Sequence, residues 1–156
     1  MEHKKGPLPS PGLLAQIAAN AMVPLMAKYS GELTSHIWKD PLGAAILGGR
    51  VSEVFLSVEA SGKDDSNTLQ IEADVLINGT SCLTTLPAIA HVSGEASQHK
   101  TTAVVGDTGI TRSVMNPAAN EFSIGDVLSY SMELTRTASP TTEIKNPVIV
   151  VKLEPA

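Results

Sequence analysis

Two runs between Glu121 and Pro155 constrain the fold of this chain more than any other stretch. They are Val127–Arg136 and Pro147–Leu153, separated by a polar Ser/Pro/Thr/Glu connector. In the first, Leu128, Tyr130, Met132 and Leu134 fall on every second residue, the repeat of a half-buried strand. A Gly125-Asp126 turn precedes it. The second, Pro-Val-Ile-Val-Val-Lys-Leu, is almost continuously apolar and β-branched, which predicts a strand covered on both faces. A domain that closes on such a strand is a β-sandwich or a barrel.

The same texture extends upstream to Gly49. Val51–Ala60 alternates through Val54, Leu56 and Val58, and a polar loop follows from Gly62 to Asn67. Leu69, Ile71, Ala73, Val75 and Ile77 then form the cleanest alternation in the chain. Asn78-Gly79 follows at once, the preferred pair for a two-residue type I′ turn, so a hairpin is predicted with Thr80–Leu86 as partner and Pro87 as its end. Its Asn-Gly-Thr is also a glycosylation sequon, but turn chemistry accounts for it. Thr101–Val105 and Ile110–Met115 read as further strands. Roughly seven strands at these spacings suit a jelly-roll-like β-sandwich or barrel.

Residues 1–48 have a different composition, rich in Ala, Met and Leu, and are expected to form a separate N-terminal tail and helical arm ahead of a β domain over 49–156. Ser10 suits an N-cap and Pro11 a first helical position. From there Leu13, Leu14, Ile17, Ala18, Ala21, Met22, Leu25, Met26 and Tyr29 recur at helical spacing. Pro24 should kink or end that helix near Val23, and Gly31 would terminate it. Asp40-Pro41 is expected to break the segment that carries Trp38, the only tryptophan. The basic start and apolar run imitate a signal peptide, yet Gln16, Asn20 and Pro24 interrupt the run, and it is too short and polar for a membrane span.

Composition excludes several function classes. A net charge of −5 and 3% aromatic residues argue against a nucleic-acid partner, which needs positive charge and stacking platforms. The lone Cys82 rules out an internal disulfide and reads as a buried, inert thiol. His91 and His99 flank a loop and could meet a metal with Asp107, but without a His-x-His pair they read as exposed loop residues. Asp107-Thr108-Gly109 matches the tripeptide of aspartic proteases, whose chemistry requires two carboxylates close together and hence, here, a homodimer. Ile110 stands where those enzymes have a small residue, and the only segment like their flap support, Ala45–Gly48, precedes the aspartate instead of following it. Gly-Asp-Thr-Gly is also a good turn. No catalytic constellation, metal site or cofactor site emerges, and the chain is read as non-enzymatic.

Ile124-Gly125-Asp126-Val127-Leu128, the alternating strand, the Thr/Ser/Pro connector and the terminal Val148-Ile-Val-Val-Lys-Leu-Glu154 resemble the ending of tailed-bacteriophage virion proteins. Such endings close jelly-roll-like domains of capsid decoration, or cement, proteins and of fibre heads. The resemblance implies a structural protein of the virion surface, made in the host cytoplasm and commonly trimeric. Its partners would be further copies of itself and the major capsid protein, with no membrane contact. On that implication Leu13, Leu14, Ile17, Met22, Leu25, Met26 and Trp38 would carry the oligomer or capsid contacts. A receptor- or glycan-binding fibre module is the alternative, and the homodimeric protease a third reading.

Overall fold

The structure is a computed structural model that describes residues 23–156 except 65, 67, 138 and 139. These residues are mainly β and contain no helix. In chain order the first strands are β1 (Leu25–Lys28), β2 (Glu32–Leu33), β3 (Ile37–Ala44), β4 (Gly49–Val58) and β5 (Gln70–Ile77). Next come β6 (Thr80–Ser81), β7 (Leu83–Thr85), β8 (Ala88–Ala90), β9 (Lys100–Thr101) and β10 (Ile110–Thr111). The last are β11 (Val114–Met115), β12 (Glu121–Phe122), β13 (Val127–Thr135), β14 (Ile144–Lys145) and β15 (Val148–Glu154).

One larger sheet has the order β1-β15-β4-β12, with β9 pairing the far end of β4. The other has the order β10-β8-β5-β13-β3, with β6 also on β5. Two short pairs, β11-β7 and β14-β2, complete the set, and every pairing is antiparallel. The inward residues of both larger sheets share one core: Val54 and Leu56 of β4, Ile149 and Val151 of β15, Ile71 and Val75 of β5, Leu128 and Met132 of β13. Each such side chain contributes about 1.5–3 kcal/mol by leaving water.

Local sequence explains much of this. On β5, Ile71, Ala73, Val75 and Ile77 are buried while Glu72 and Asp74 point outward. Asn78 and Gly79 both take positive φ, +49° and +82°, as a type I′ turn requires. The turn is held from outside as well: the Asn78 amide donates to Asp126 Oδ1 (2.8 Å), and its Oδ1 accepts from Val127 N (2.9 Å). The hairpin turn and the Gly125-Asp126 turn therefore form one unit at the start of β13. In β4 the alternation slips, because Val51 and Val54 are both buried. A register shift against Lys152/Leu153 leaves Ser52 as the extra residue, a bulge that restores the inward phase.

Several expectations require correction. The helical spacing does not continue as a helix through Leu25, Met26 and Tyr29; Leu25–Lys28 is a strand paired with Ile149 and its neighbours on β15. Four residues satisfy a period of 3.6 or 2 almost equally, and pairing with the terminal strand decides the matter. The helix expected over Leu13, Leu14, Ile17 and Met22 lies outside the described residues. Gly48 does not separate an arm from a β domain, since β1 and β3 belong to the two larger sheets. Asp40-Pro41 does not break the chain: Pro41 sits in β3, an edge strand, where a missing N–H costs least. Thr80–Leu86 is not one strand, because residues 83–85 leave β5 to pair with β11 and the chain returns to β5 as β8. The strand expected over Thr101–Val105 stops at Thr101. β15 buries Ile149 and Val151 but leaves Val148 and Val150 half-exposed, so only one of its faces is fully covered.

Candidate functional site

Three of the residues expected to carry contacts are described, and the structure does not bring them together. Leu25 is half-buried and lines an apolar groove of about 250 Å³. Met26, the next residue along β1, is 61% exposed and does not line it. Trp38 lies on β3, in the other sheet, 59% exposed and packed against the His36 ring with centroids 5.3 Å apart.

The groove is built where β1 begins and where two loops meet. Its walls include Val23, Leu25, Ala45, Leu47, Phe122 and Leu153, and no lining residue is charged. The 45–48 loop and the 123–126 loop are clipped together at Ala45, whose N–H donates to the Asp126 carbonyl and whose carbonyl accepts from Gly125 N, each at 2.8 Å. Ile46 and Leu47 follow that clip on one loop, Ile124 lies on the other and Val127 just after it, and all four are exposed. Asp126 stabilises the second loop by accepting from Ser123 N at 2.8 Å, and this bond, with that from Asn78, holds its carboxyl below the usual carboxylate range.

A second depression, about 360 Å³, lies on the outward face of the other sheet, between Trp38 and the carboxylates Glu72, Asp74 and Glu133. Glu133 stands directly opposite Glu72, and Ser131 opposite Asp74. Burial raises the Glu72 carboxyl above the usual range, with the charges of Glu133 and Asp74 adding to the effect. Burial raises Asp74 too, partly offset by the Ser81 hydroxyl, which donates to it at 2.6 Å. Such a face can accept hydrogen bonds from hydroxyl groups beneath an aromatic platform.

The Asp-Thr-Gly segment has a structural explanation. Asp107 Oδ2 accepts from Thr101 N at 2.8 Å, and Gly109, at φ +69°, passes so close to Ala90 that a Cβ would stand 2.5 Å from its carbonyl oxygen. Thr108 belongs to a cluster that the sequence did not reveal. Lys100 is 1% exposed, and its Nζ donates to Glu95 Oε2 (2.6 Å) and to the Thr108 carbonyl (2.7 Å). The Thr108 hydroxyl donates to the other Glu95 oxygen. Hydrogen bonds from Lys100 and Thr108 hold the Glu95 carboxyl below the usual range. A lysine in a polar run is normally assigned to solvent, and nothing local marks this one as buried.

His91 is buried, 7% exposed, contrary to its reading as an exposed loop residue, while His99 is exposed. His91 N donates to the Leu69 carbonyl, which draws this residue against the start of β5. Among the described residues no three His, Cys, Asp or Glu side chains are grouped to hold a metal ion, and no helix is long and apolar enough to cross a membrane. Cys82 is fully buried, and burial, with Asp74 nearby, pushes its thiol up to about 12, so it stays protonated at neutral pH. Comparison with known protein families and with curated proteins finds no match to this chain.

Proposed function

We propose that this chain is a non-enzymatic structural protein of a phage virion, a capsid decoration or cement protein with a jelly-roll-like β domain. It would act as an oligomer, a trimer, bound to the major capsid protein. One observation carries the reading: Ile46 and Leu47 stand exposed on an uncharged groove, and the loop clipped to theirs leads through exposed Ile124 to exposed Val127. Exposed apolar side chains of that character are suited to burial against another protein. The resemblance of Ile124–Leu128 and Val148–Glu154 to phage virion endings supplies the kind of partner. The test mixes purified chain with empty shells of the major capsid protein and follows shell disruption on heating. The chain should bind and raise the disruption temperature, and Ile124→Asp should weaken both effects. Shells that neither bind the chain nor gain heat resistance would overturn the reading.

A second reading, a glycan-binding fibre module, is favoured by Trp38 above the carboxylate-lined depression. It requires saturable oligosaccharide binding that Trp38→Ala abolishes, measured by calorimetry. Binding unaffected by that substitution would remove it.

A further inference from the structure

We propose that the His36 imidazole is a pH-sensitive latch, holding the Trp38 end of β3 against β13 while it is neutral and releasing it when protonated. One hydrogen bond makes the latch: Leu134 N donates to His36 Nδ1 at 3.0 Å. An imidazole nitrogen accepts a hydrogen bond only while it keeps its lone pair, so this bond requires Nδ1 to be unprotonated. A proton on Nδ1 turns it into a second donor facing the Leu134 N–H, and the bond is lost.

The place of this bond in the sheet gives it a consequence. β3 is an edge strand, and its ladder with β13 ends at the Ile37↔Met132 pair. Continued in register, Leu134 would face Ser35, which lies outside the strand, so the His36 side chain extends the attachment one bond beyond the last backbone pair. On the other side of Ile37 the ladder is interrupted. Trp38 and Lys39 together stand opposite Ser131, a bulge in which Lys39 takes φ +49° and donates its N–H to Ser131 Oγ at 3.0 Å. The His36 and Trp38 rings pack with centroids 5.3 Å apart, so release of the imidazole takes away a packing partner of the indole. Trp38 walls the depression that holds Glu72, Asp74 and Glu133, and the latch thereby sets the shape of that depression.

His36 is exposed, so solvent protons reach it. The charged groups on the elements around it are Glu32 on β2, Lys39 and Asp40 on β3, Glu133 on β13 with Arg136 just after it, and Glu72 and Asp74 on β5. Glu32 is paired with Lys145 and Arg136 with Glu143, and among the described residues no carboxylate forms an ion pair with His36. No described counter-charge therefore offsets the loss of the Leu134 bond on protonation.

The test follows the full-length chain from about pH 8 to about pH 5, the span over which imidazoles titrate. Trp38 is the only tryptophan, so its fluorescence reports this end of β3 alone. Hydrogen exchange at the Leu134 amide, corrected for the intrinsic effect of pH, is read alongside by NMR. The parent should show both signals changing together, with Leu134 protection falling several-fold on acidification. His36→Asn supplies an acceptor oxygen near the place of Nδ1 that does not titrate, so it should keep Leu134 protected and show no transition in Trp38 emission. His36→Ala should leave Leu134 poorly protected at both ends of the range. A Trp38 transition that survives in His36→Asn would overturn the latch and assign the signal to the carboxylates of the depression. Leu134 protection that stays constant across the range would overturn it as well. So would protection lost along β5 and at Leu134 together, the mark of the whole sheet unfolding.

Discussion

Lys100 is the residue whose environment most demands a partner. Its ammonium is enclosed, and among the described residues Glu95 supplies the only carboxylate bonded to it, with Thr108 accepting two further bonds. The two sides of the pair are unequal: the lysine side chain is 2% exposed and the glutamate side chain 24%. Removing Glu95 leaves an almost fully buried ammonium without its counter-charge, whereas removing Lys100 leaves a more exposed carboxylate that can hydrate. Glu95→Ala should therefore destabilise the protein more than Lys100→Met, read as denaturation midpoints. The pH dependence has a definite sign. The folded Glu95 carboxyl is depressed, so its contribution is present above the ordinary glutamate range and is lost as pH falls through the folded value. The parent should lose stability on acidification over that window more steeply than Glu95→Ala; parallel pH profiles would contradict the assignment. None of this was legible in the sequence, because Glu95 and Thr108 reach Lys100 only once the loops on either side of β9 have folded over it.

At the scale of the element, β5 and β13 show how much a local pattern can decide. The alternation of Leu69–Ile77, the Asn78-Gly79 turn and the alternation of Leu128–Leu134 were readable because their rules act within one or two strands. Their pairing is continuous over eight residue pairs, from Leu128↔Ile77 to Thr135↔Gln70. The same register places Glu133 opposite Glu72, two like charges on the outer face. Pairs of that kind are destabilising by about 0.2–1 kcal/mol, so Glu133→Gln should stabilise the protein by that order at neutral pH. The Glu72 carboxyl is raised in the folded state, so the repulsion acts above that raised value and disappears as pH falls through it. Equal denaturation midpoints for the two proteins at neutral pH would show that the pair carries no cost. β1 illustrates the opposite case. Leu25 and Met26 fit a helical stripe on paper, but their conformation is decided by β15, at the far end of the chain.

For the whole molecule, the β class was legible from strand periodicity and turn chemistry, while the exposed apolar end around the groove was not. Ile46 and Leu47 belong to a loop that the sequence assigned to an N-terminal arm, and Ile124 and Val127 to the approach to a late strand. The β3–β13 pairing and the two hydrogen bonds at Ala45 bring the two segments together. Trp38 was grouped with the arm by sequence position, yet β3 carries it to the other sheet, so position along the chain was a poor guide to shared surfaces. The account's central claim is that this apolar end makes the protein an assembling one. Size-exclusion chromatography with light scattering on the full chain and on Leu47→Asp tests it most directly. The account predicts an oligomer for the parent and a folded monomer for Leu47→Asp. A parent that stays monomeric at every concentration, or a Leu47→Asp variant as oligomeric as the parent, would contradict it.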